Sequence, residues 1–313
     1  MTTLADALAA GPVTLDGGLS TELERRGHDV SSALWSARLL EDDPAAIVAA
    51  HRAFLAAGAR VITTASYQAT VDGFARAGVD APRALALMRR SVALARRAIE
   101  EHAADAAWVA ASVGPYGAML ADGSEYTGAY VDPRWPGRDG GGLDVEQLRA
   151  FHRPRLEALA AADPDVLACE TVPCLAEAEA LLAELDRLGV PGWLSLTTVT
   201  TPDGAVLTRR GEPAAEAFAM AADTPAVVAV GVNCTQPHGV TAAVKQAAAL
   251  SGKPVVGYPN SGERWDGAAR TWRGLPEDGV DVGAWLDAGA RLVGGCCRVG
   301  PERIATLAAQ ISA

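Results

Sequence analysis

Eight short, nearly unbroken apolar runs, each followed by a longer segment of helical composition, constrain this 313-residue chain more than any other feature. The runs are PVTLDGG (12–18), ARVITTAS (59–66), AWVAASVG (107–114), DVLACET (165–171), GWLSLTTV (192–199), AVVAVGVNC (226–234), PVVGYPN (254–260) and RLVGGCC (291–297). A run without apolar–polar alternation suits a strand covered on both faces. The spacing predicts helices over 44–57, 81–103, 144–161, 175–188, 213–222, 238–250, 281–288 and 300–312. The first of these opens on Pro44, a residue preorganised for a first helical turn, and stops before Gly58. Eight strand–helix alternations predict an α/β fold, a (β/α)₈ TIM barrel spanning 1–313 as a single domain. An open, doubly wound sheet is the rival. The barrel is preferred because no linker or change of composition divides the chain into halves.

Half the residues are hydrophobic and 21% are charged, as in ordinary globular proteins. No apolar run approaches the roughly 18 residues of a membrane span. The start, MTTLADALAAGP, lacks a basic segment followed by an apolar one, so a cytoplasmic protein is expected. Lys and Arg number 27 against 38 Asp and Glu, a net charge of −11, which argues against a nucleic-acid partner.

There are five cysteines, at 169, 174, 234, 296 and 297. In a reducing compartment an odd number makes a disulfide framework an unfavourable reading. In a barrel, Cys234 ends the sixth strand and Cys296 and Cys297 end the eighth. All three then sit on the carboxyl-terminal rim, about 10 Å apart at two strand spacings, where the active sites of such barrels lie. Zinc takes thiolate sulfur, and three protein ligands leave a fourth position open for chemistry. Gly294 and Gly295 are expected to supply backbone angles that turn both thiols toward one point. A vicinal disulfide and three inert buried thiols are the other readings. Cys169 is expected to face the helices if Glu170 faces the barrel axis, and Cys174 is read as structural.

Long connections after strand three (115–143) and strand seven (261–280) fall on the same rim, and loops of that length inside a compact domain are usually functional or disordered. Asp16 and Glu170 end strands one and four, where two carboxylates could hold an amino-acid ammonium group. Gly17 and Gly18 would let a ligand carboxylate approach backbone N–H groups. Tyr116, Tyr126, Tyr130 and Trp135 lie in the third loop, where aromatic rings could shelter a cation such as a sulfonium. The five histidines show no ligand spacing, and GRDGGG (137–142) is not a dinucleotide fingerprint.

LDGGLSTELERRG, SALWSARLL, ITTASYQAT, SVGPYGAMLADGSEYTGAY, FHRPR, LACET, GVNC, YPNSGE and GGCCR, in that order from about residue 12 to 310, resemble the homocysteine S-methyltransferase family. The likeness is greatest to the branch using S-methylmethionine or S-adenosylmethionine as methyl donor. The resemblance implies a zinc-dependent barrel in which Cys234, Cys296 and Cys297 bind Zn²⁺ and Asp16, Gly17, Thr63 and Glu170 contact homocysteine. It further implies that Tyr67 could take zinc's fourth position when substrate is absent. The expected partners are homocysteine and a sulfonium donor, with no nucleic acid and no membrane, in a chain that could act as a monomer. A selenocysteine acceptor, or a zinc- or thiol-binding barrel without activity, is the alternative the resemblance leaves open.

Overall fold

The structure, a computed structural model, describes residues 2–312 apart from 33, 104–105, 267–270 and 278–280. Its central sheet has eight parallel strands: β1 (Val13–Thr14), β2 (Val61–Thr63), β3 (Trp108–Val113), β4 (Val166–Val172), β5 (Gly192–Leu196), β6 (Val227–Asn233), β7 (Val255–Tyr258) and β8 (Ala290–Val293). Each pairs with the next, and β8 returns to β1. A parallel bridge from Leu15 to Val61 closes the ring, with Arg60 N–H donating to the Thr14 carbonyl at 2.8 Å and Asp16 N–H to that of Val61 at 3.1 Å. The closed barrel displaces the open-sheet alternative.

The helices fall where the spacing put them: Pro44–Ala56, Ala81–His102, Val145–Ala160, Leu175–Leu188, Ala214–Ala222, Pro237–Ser251, Val282–Asp287 and Pro301–Ile311. Local chemistry sets their starts. Asp43, Asp80 and Asp144 each accept a backbone N–H at the N-cap, a contribution of about 1 kcal/mol apiece. Among the described residues no helix is long and apolar enough to cross a membrane.

Strand parity sorts the apolar residues into two layers. Val13, Leu15, Val61, Trp108, Ala110, Val166, Ala168, Trp193, Ala229, Val256 and Leu292 fill the barrel interior. Their neighbours, including Ile62, Val109, Leu167, Leu194, Val230 and Val255, pack outward against the helices. Leu4 and Leu8, from a helix over Leu4–Ala10 that the strand–helix count did not anticipate, join the interior layer. Each such buried aliphatic side chain contributes about 1.5–3 kcal/mol. Cys169 lies in the outer layer with no exposed surface, facing the helices as expected.

The 115–143 connection is an ordered structure. It contains a helix, Tyr116–Leu120, and 3₁₀ turns at Ser124–Tyr126 and Ala129–Val131. Its anchor is the buried Glu177, which accepts Tyr116 N–H at 2.6 Å and the Tyr130 hydroxyl and meets His152 Nε2 at 2.8 Å. Arg155 completes the cluster by donating to the Gly114 carbonyl at the end of β3. Burial, and then the neighbouring Arg155, hold His152 down to about 4, so it is neutral at physiological pH. Of the 261–280 connection, residues 267–270 and 278–280 lie outside the described residues, and the rest includes a hairpin of Arg264–Asp266 with Thr271–Arg273.

His51, on the Pro44–Ala56 helix, is fully buried with neither ring nitrogen hydrogen-bonded among the described residues. Burial holds its pKa down to about 3. Below the unfolded value of about 6.5 the unfolded chain takes up a proton that the folded chain refuses. Stability is therefore full above that pH and is lost as pH falls toward 3. At pH 5 the loss is about 2 kcal/mol from this residue. Urea unfolding of wild type and His51→Leu at pH 7 and pH 5 should show the variant's pH dependence reduced by that amount. Equal pH dependence in the two proteins would discount the assignment.

Candidate functional site

At the carboxyl ends of the strands lies a cavity of about 320 Å³, lined by Asp16, Thr63, Tyr67, Glu125, Glu170 and the three rim cysteines, among others. Cys234 follows β6, while Cys296 and Cys297 follow β8 directly after a Gly–Gly pair. The three sulfurs lie within 4.8 Å of one another. Cys297 Sγ is 3.6 Å from that of Cys234 and 4.0 Å from that of Cys296. Cys234 and Cys296 are joined as a disulfide, and Cys297 is a free thiol. The structure thus departs from one expectation, since a disulfide is present despite the odd cysteine number, and that disulfide links the two strand ends and not the vicinal pair of the rival reading. The rim brings Cys234 against Cys296, whereas adjacent cysteines must aim along one short stretch of backbone.

The role of the glycine pair also differs from expectation. Neither Gly294 nor Gly295 adopts a left-handed backbone conformation; Cys234 (φ 46°) and Arg298 (φ 66°) do. The pair is needed for close approach. A Cβ on Gly294 would lie 2.6 Å from the Asp16 carbonyl oxygen, and one on Gly295 would lie 2.2 Å from Val299 Cγ1. The strain that aims Cys234 is carried by the cysteine, a backbone outlier of the kind that clusters at functional sites.

The sulfur triangle suits a metal. Sulfurs in a zinc tetrahedron with bonds of about 2.3 Å lie roughly 3.8 Å apart, and two of the three separations already match. The third requires reduction of the Cys234–Cys296 bond. Desolvation pushes the Cys297 thiol up to about 12, with Glu125 and Glu170 adding to the shift and a hydrogen bond from Tyr126 opposing it. A bound cation is what would turn such a thiol into a thiolate.

The acidic side of the cavity is built from β1, β2, β3, β4 and β7. Asp16, just past β1, is 1% exposed. It accepts the Thr63 N–H at 2.8 Å and the Thr63 hydroxyl at 2.8 Å. Glu170 accepts the hydroxyls of Ser112 and of Tyr258, the latter at 2.9 Å, and Tyr258 in turn takes Trp193 Nε1–H at 3.1 Å. Burial holds Asp16 well above the usual carboxylate range, against the pull of the Thr63 hydrogen bonds, and raises Glu170 against those of Ser112 and Tyr258. Both carboxylates are therefore poised to ionise when a cation arrives.

Tyr67 lines the same cavity, and burial raises its phenol well above the ordinary range. Asn233, the last residue of β6, clamps Thr171 through two hydrogen bonds of 2.7 Å, tying the rim of β4 to that of β6. Gly17 is pressed against the Val299 carbonyl, 2.4 Å from where its Cβ would be. The Gly18 N–H donates to that same carbonyl at 2.9 Å, so it is not offered to a ligand.

Of the four third-loop aromatics, Tyr126 alone lines this cavity. Tyr116, Tyr130 and Trp135 pack on one another and on Leu143, Leu148 and Cys174, which is buried and structural as expected. Sequence reasoning missed Glu125, Ser112 and Tyr258. Parity could have found the last two: Trp108 and Ala110 face the interior, so Ser112 does, and Tyr258 follows Val256 in the same way. Glu125 lies on a 3₁₀ turn, where no period marks its direction.

The family model of homocysteine S-methyltransferase matches residues 13–311. The chain is 44% identical to a homocysteine S-methyltransferase of Escherichia coli (strain K12), over 95% of its own length and 94% of that protein's. It is 39% identical to homocysteine S-methyltransferase YbgG of Bacillus subtilis (strain 168), over 95% and 93%. The crystal structure of the homocysteine methyltransferase MmuM from Escherichia coli in its metallated form superimposes with a TM-score of 0.82, at 40% identity and 96% coverage of both chains.

Proposed function

Because this chain belongs to the homocysteine S-methyltransferase family, it is an enzyme that moves a methyl group to the sulfur of homocysteine, and we propose that the donor is a sulfonium amino acid and the metal zinc. The observation that supports this reading is the convergence of three cysteine sulfurs beside two buried carboxylates in one cavity. Cys234, Cys296 and Cys297, once reduced, would hold Zn²⁺.

A free thiol with a pKa near 8.5 is only a few per cent thiolate at pH 7. When bound, the zinc would keep the homocysteine sulfur ionised and nucleophilic. The protein's own residues do the rest. Asp16 and Glu170 bind the substrate ammonium, with Thr63, Ser112 and Tyr258 holding the carboxylates in place. Gly17 keeps β1 tight against the β8 rim, so Asp16 and the cysteines share one wall. Tyr67, protonated and electrostatically coupled to Cys297, is the candidate occupant of the open metal position before substrate enters. A protonated phenol there is easily displaced.

In the transfer, the bond between the donor sulfur and its methyl carbon breaks as the homocysteine sulfur bonds to that carbon. The electron pair stays on the donor sulfur, which leaves as a neutral thioether. No proton is needed by the leaving group, which agrees with a site whose tyrosines all stay protonated. Catalysis is then mostly positioning, which can supply about 7–11 kcal/mol.

The test uses reduced protein of measured zinc content, with homocysteine and either S-methylmethionine or S-adenosylmethionine. Methionine should form in proportion to zinc. Full turnover by zinc-free protein would overturn the metal assignment, and no methyl transfer from any sulfonium would overturn the donor class.

A further inference from the structure

A second cavity, of about 410 Å³, opens on the same face of the barrel, and Tyr126 lines it as well as the first. Cys297 and the other two rim cysteines line the first cavity together with Tyr126. One aromatic side chain therefore separates the second cavity from the rim sulfurs. Its walls come from segments that follow β5, β6 and β7: Thr198 and Arg209, Thr235, and Asn260 and Glu263.

These walls are polar and carry both signs of charge. Arg209 follows the Thr198–Thr208 hairpin, with its guanidinium 5.6 Å from the Tyr126 ring centroid and its Nε donating to Thr197 Oγ1 at 3.3 Å. Glu263, 7% exposed, is held by Arg298 at 3.1 Å and the Ser261 hydroxyl at 2.9 Å. Asn260 supplies an amide beside it. A guanidinium fork on one wall and a carboxylate with an amide on another complement a zwitterion.

No arginine or lysine among the described residues lines the first cavity to take a second α-carboxylate, and its carboxylates assigned above to an ammonium group are Asp16 and Glu170. Homocysteine uses them. A sulfonium donor that is also an α-amino acid needs a second place for its own charged end, within a few bonds of its methyl group. Three bonds separate a sulfonium sulfur from the α-carbon in this class of molecule, about the reach needed to pass one side chain.

We propose that the second cavity binds the α-amino-acid end of the methyl donor, with Arg209 taking the α-carboxylate and Glu263 and Asn260 the α-ammonium, while the sulfonium reaches past Tyr126 toward Cys297. This rests on the sulfonium-donor reading above. It makes Arg209 a donor-binding residue that does not touch homocysteine. S-methylmethionine and S-adenosylmethionine share the recognised end, so each is a separate arm of the test.

The experiment compares wild type, Arg209→Met and Arg209→Lys, all zinc-loaded, using S-methylmethionine, S-adenosylmethionine and trimethylsulfonium, which has no carboxylate. For each amino-acid donor that the wild type uses, Arg209→Met should raise KM at least tenfold. The preference for that donor over trimethylsulfonium, as a ratio of kcat/KM, should fall at least tenfold. Arg209→Lys, keeping the charge without the fork, should fall between the two proteins. Calorimetric binding of S-methylmethionine to metal-free protein should weaken in the same order.

An unchanged donor KM in Arg209→Met would overturn the inference. So would an equal rise in the KM of homocysteine, which would mark a structural role. If the wild type itself transfers no methyl from any of the three sulfoniums, the donor reading has failed instead.

Discussion

Cys297→Ser is expected to lose zinc and turnover together while the barrel remains folded. Serine's hydroxyl is a poor substitute for thiolate, and two sulfurs cannot complete the donor set that three supply. Changes to partners merely outside a metal's ligand shell cost about 10–100-fold in affinity or activity; removal of a ligand should exceed that. The fold should survive because Cys297 lies beyond the end of β8, half-buried at the cavity, and outside the packed layers of the barrel. Both proteins must be kept reduced, since the Cys234–Cys296 disulfide removes two of the donors. The measurements are zinc content, circular dichroism and the rate of methionine formation. A folded variant with wild-type zinc and wild-type rate would sink the metal site.

Glu170→Gln should raise the KM of homocysteine about 100-fold and leave that of the donor nearly unchanged. The substitution is close in shape. Ser112 and Tyr258 each offer a hydroxyl to the carboxylate, and a hydroxyl can donate to the amide oxygen or accept from its nitrogen. What is lost is charge. Removing one partner of a desolvated, hydrogen-bonded charge pair costs about 2–5 kcal/mol, and 100-fold lies inside that range. The pH dependence has a definite sign. Burial raises Asp16 and Glu170 in the free site, and a bound ammonium stabilises their ionised forms. Binding thus releases protons, and affinity rises with pH through the raised carboxylate range. Calorimetry in two buffers of different ionisation enthalpy should show less proton release in Glu170→Gln. A KM within threefold of wild type would remove Glu170 from the ammonium site.

Much of the molecule was legible along the chain. The eight apolar runs became the eight strands because both faces of each are covered, which removes the polar residues that would interrupt them. Strand order then followed, since parallel neighbours joined by helices have few ways to close. Placement of Asp16, Glu170, Cys234, Cys296 and Cys297 on one rim needed only the strand ends. The third loop was harder. Its aromatics looked alike in sequence, yet Tyr130 is drawn away to Glu177 and Tyr126 lines the cavity of the rim cysteines. The hairpin that precedes Arg209 went unmarked because three-residue strands have too little period to read.

By itself, then, the sequence determined that a barrel forms and that thiols and acids gather at one mouth of it, because strand periodicity is a local property and closure carries every strand end to a common rim. Only the tertiary structure decided which sulfurs bond, that Gly294 and Gly295 serve close packing and not unusual backbone angles, and that Arg209 and Glu263 share a cavity behind Tyr126. Those outcomes depend on distances between segments tens of residues apart, which packing sets and no local pattern encodes.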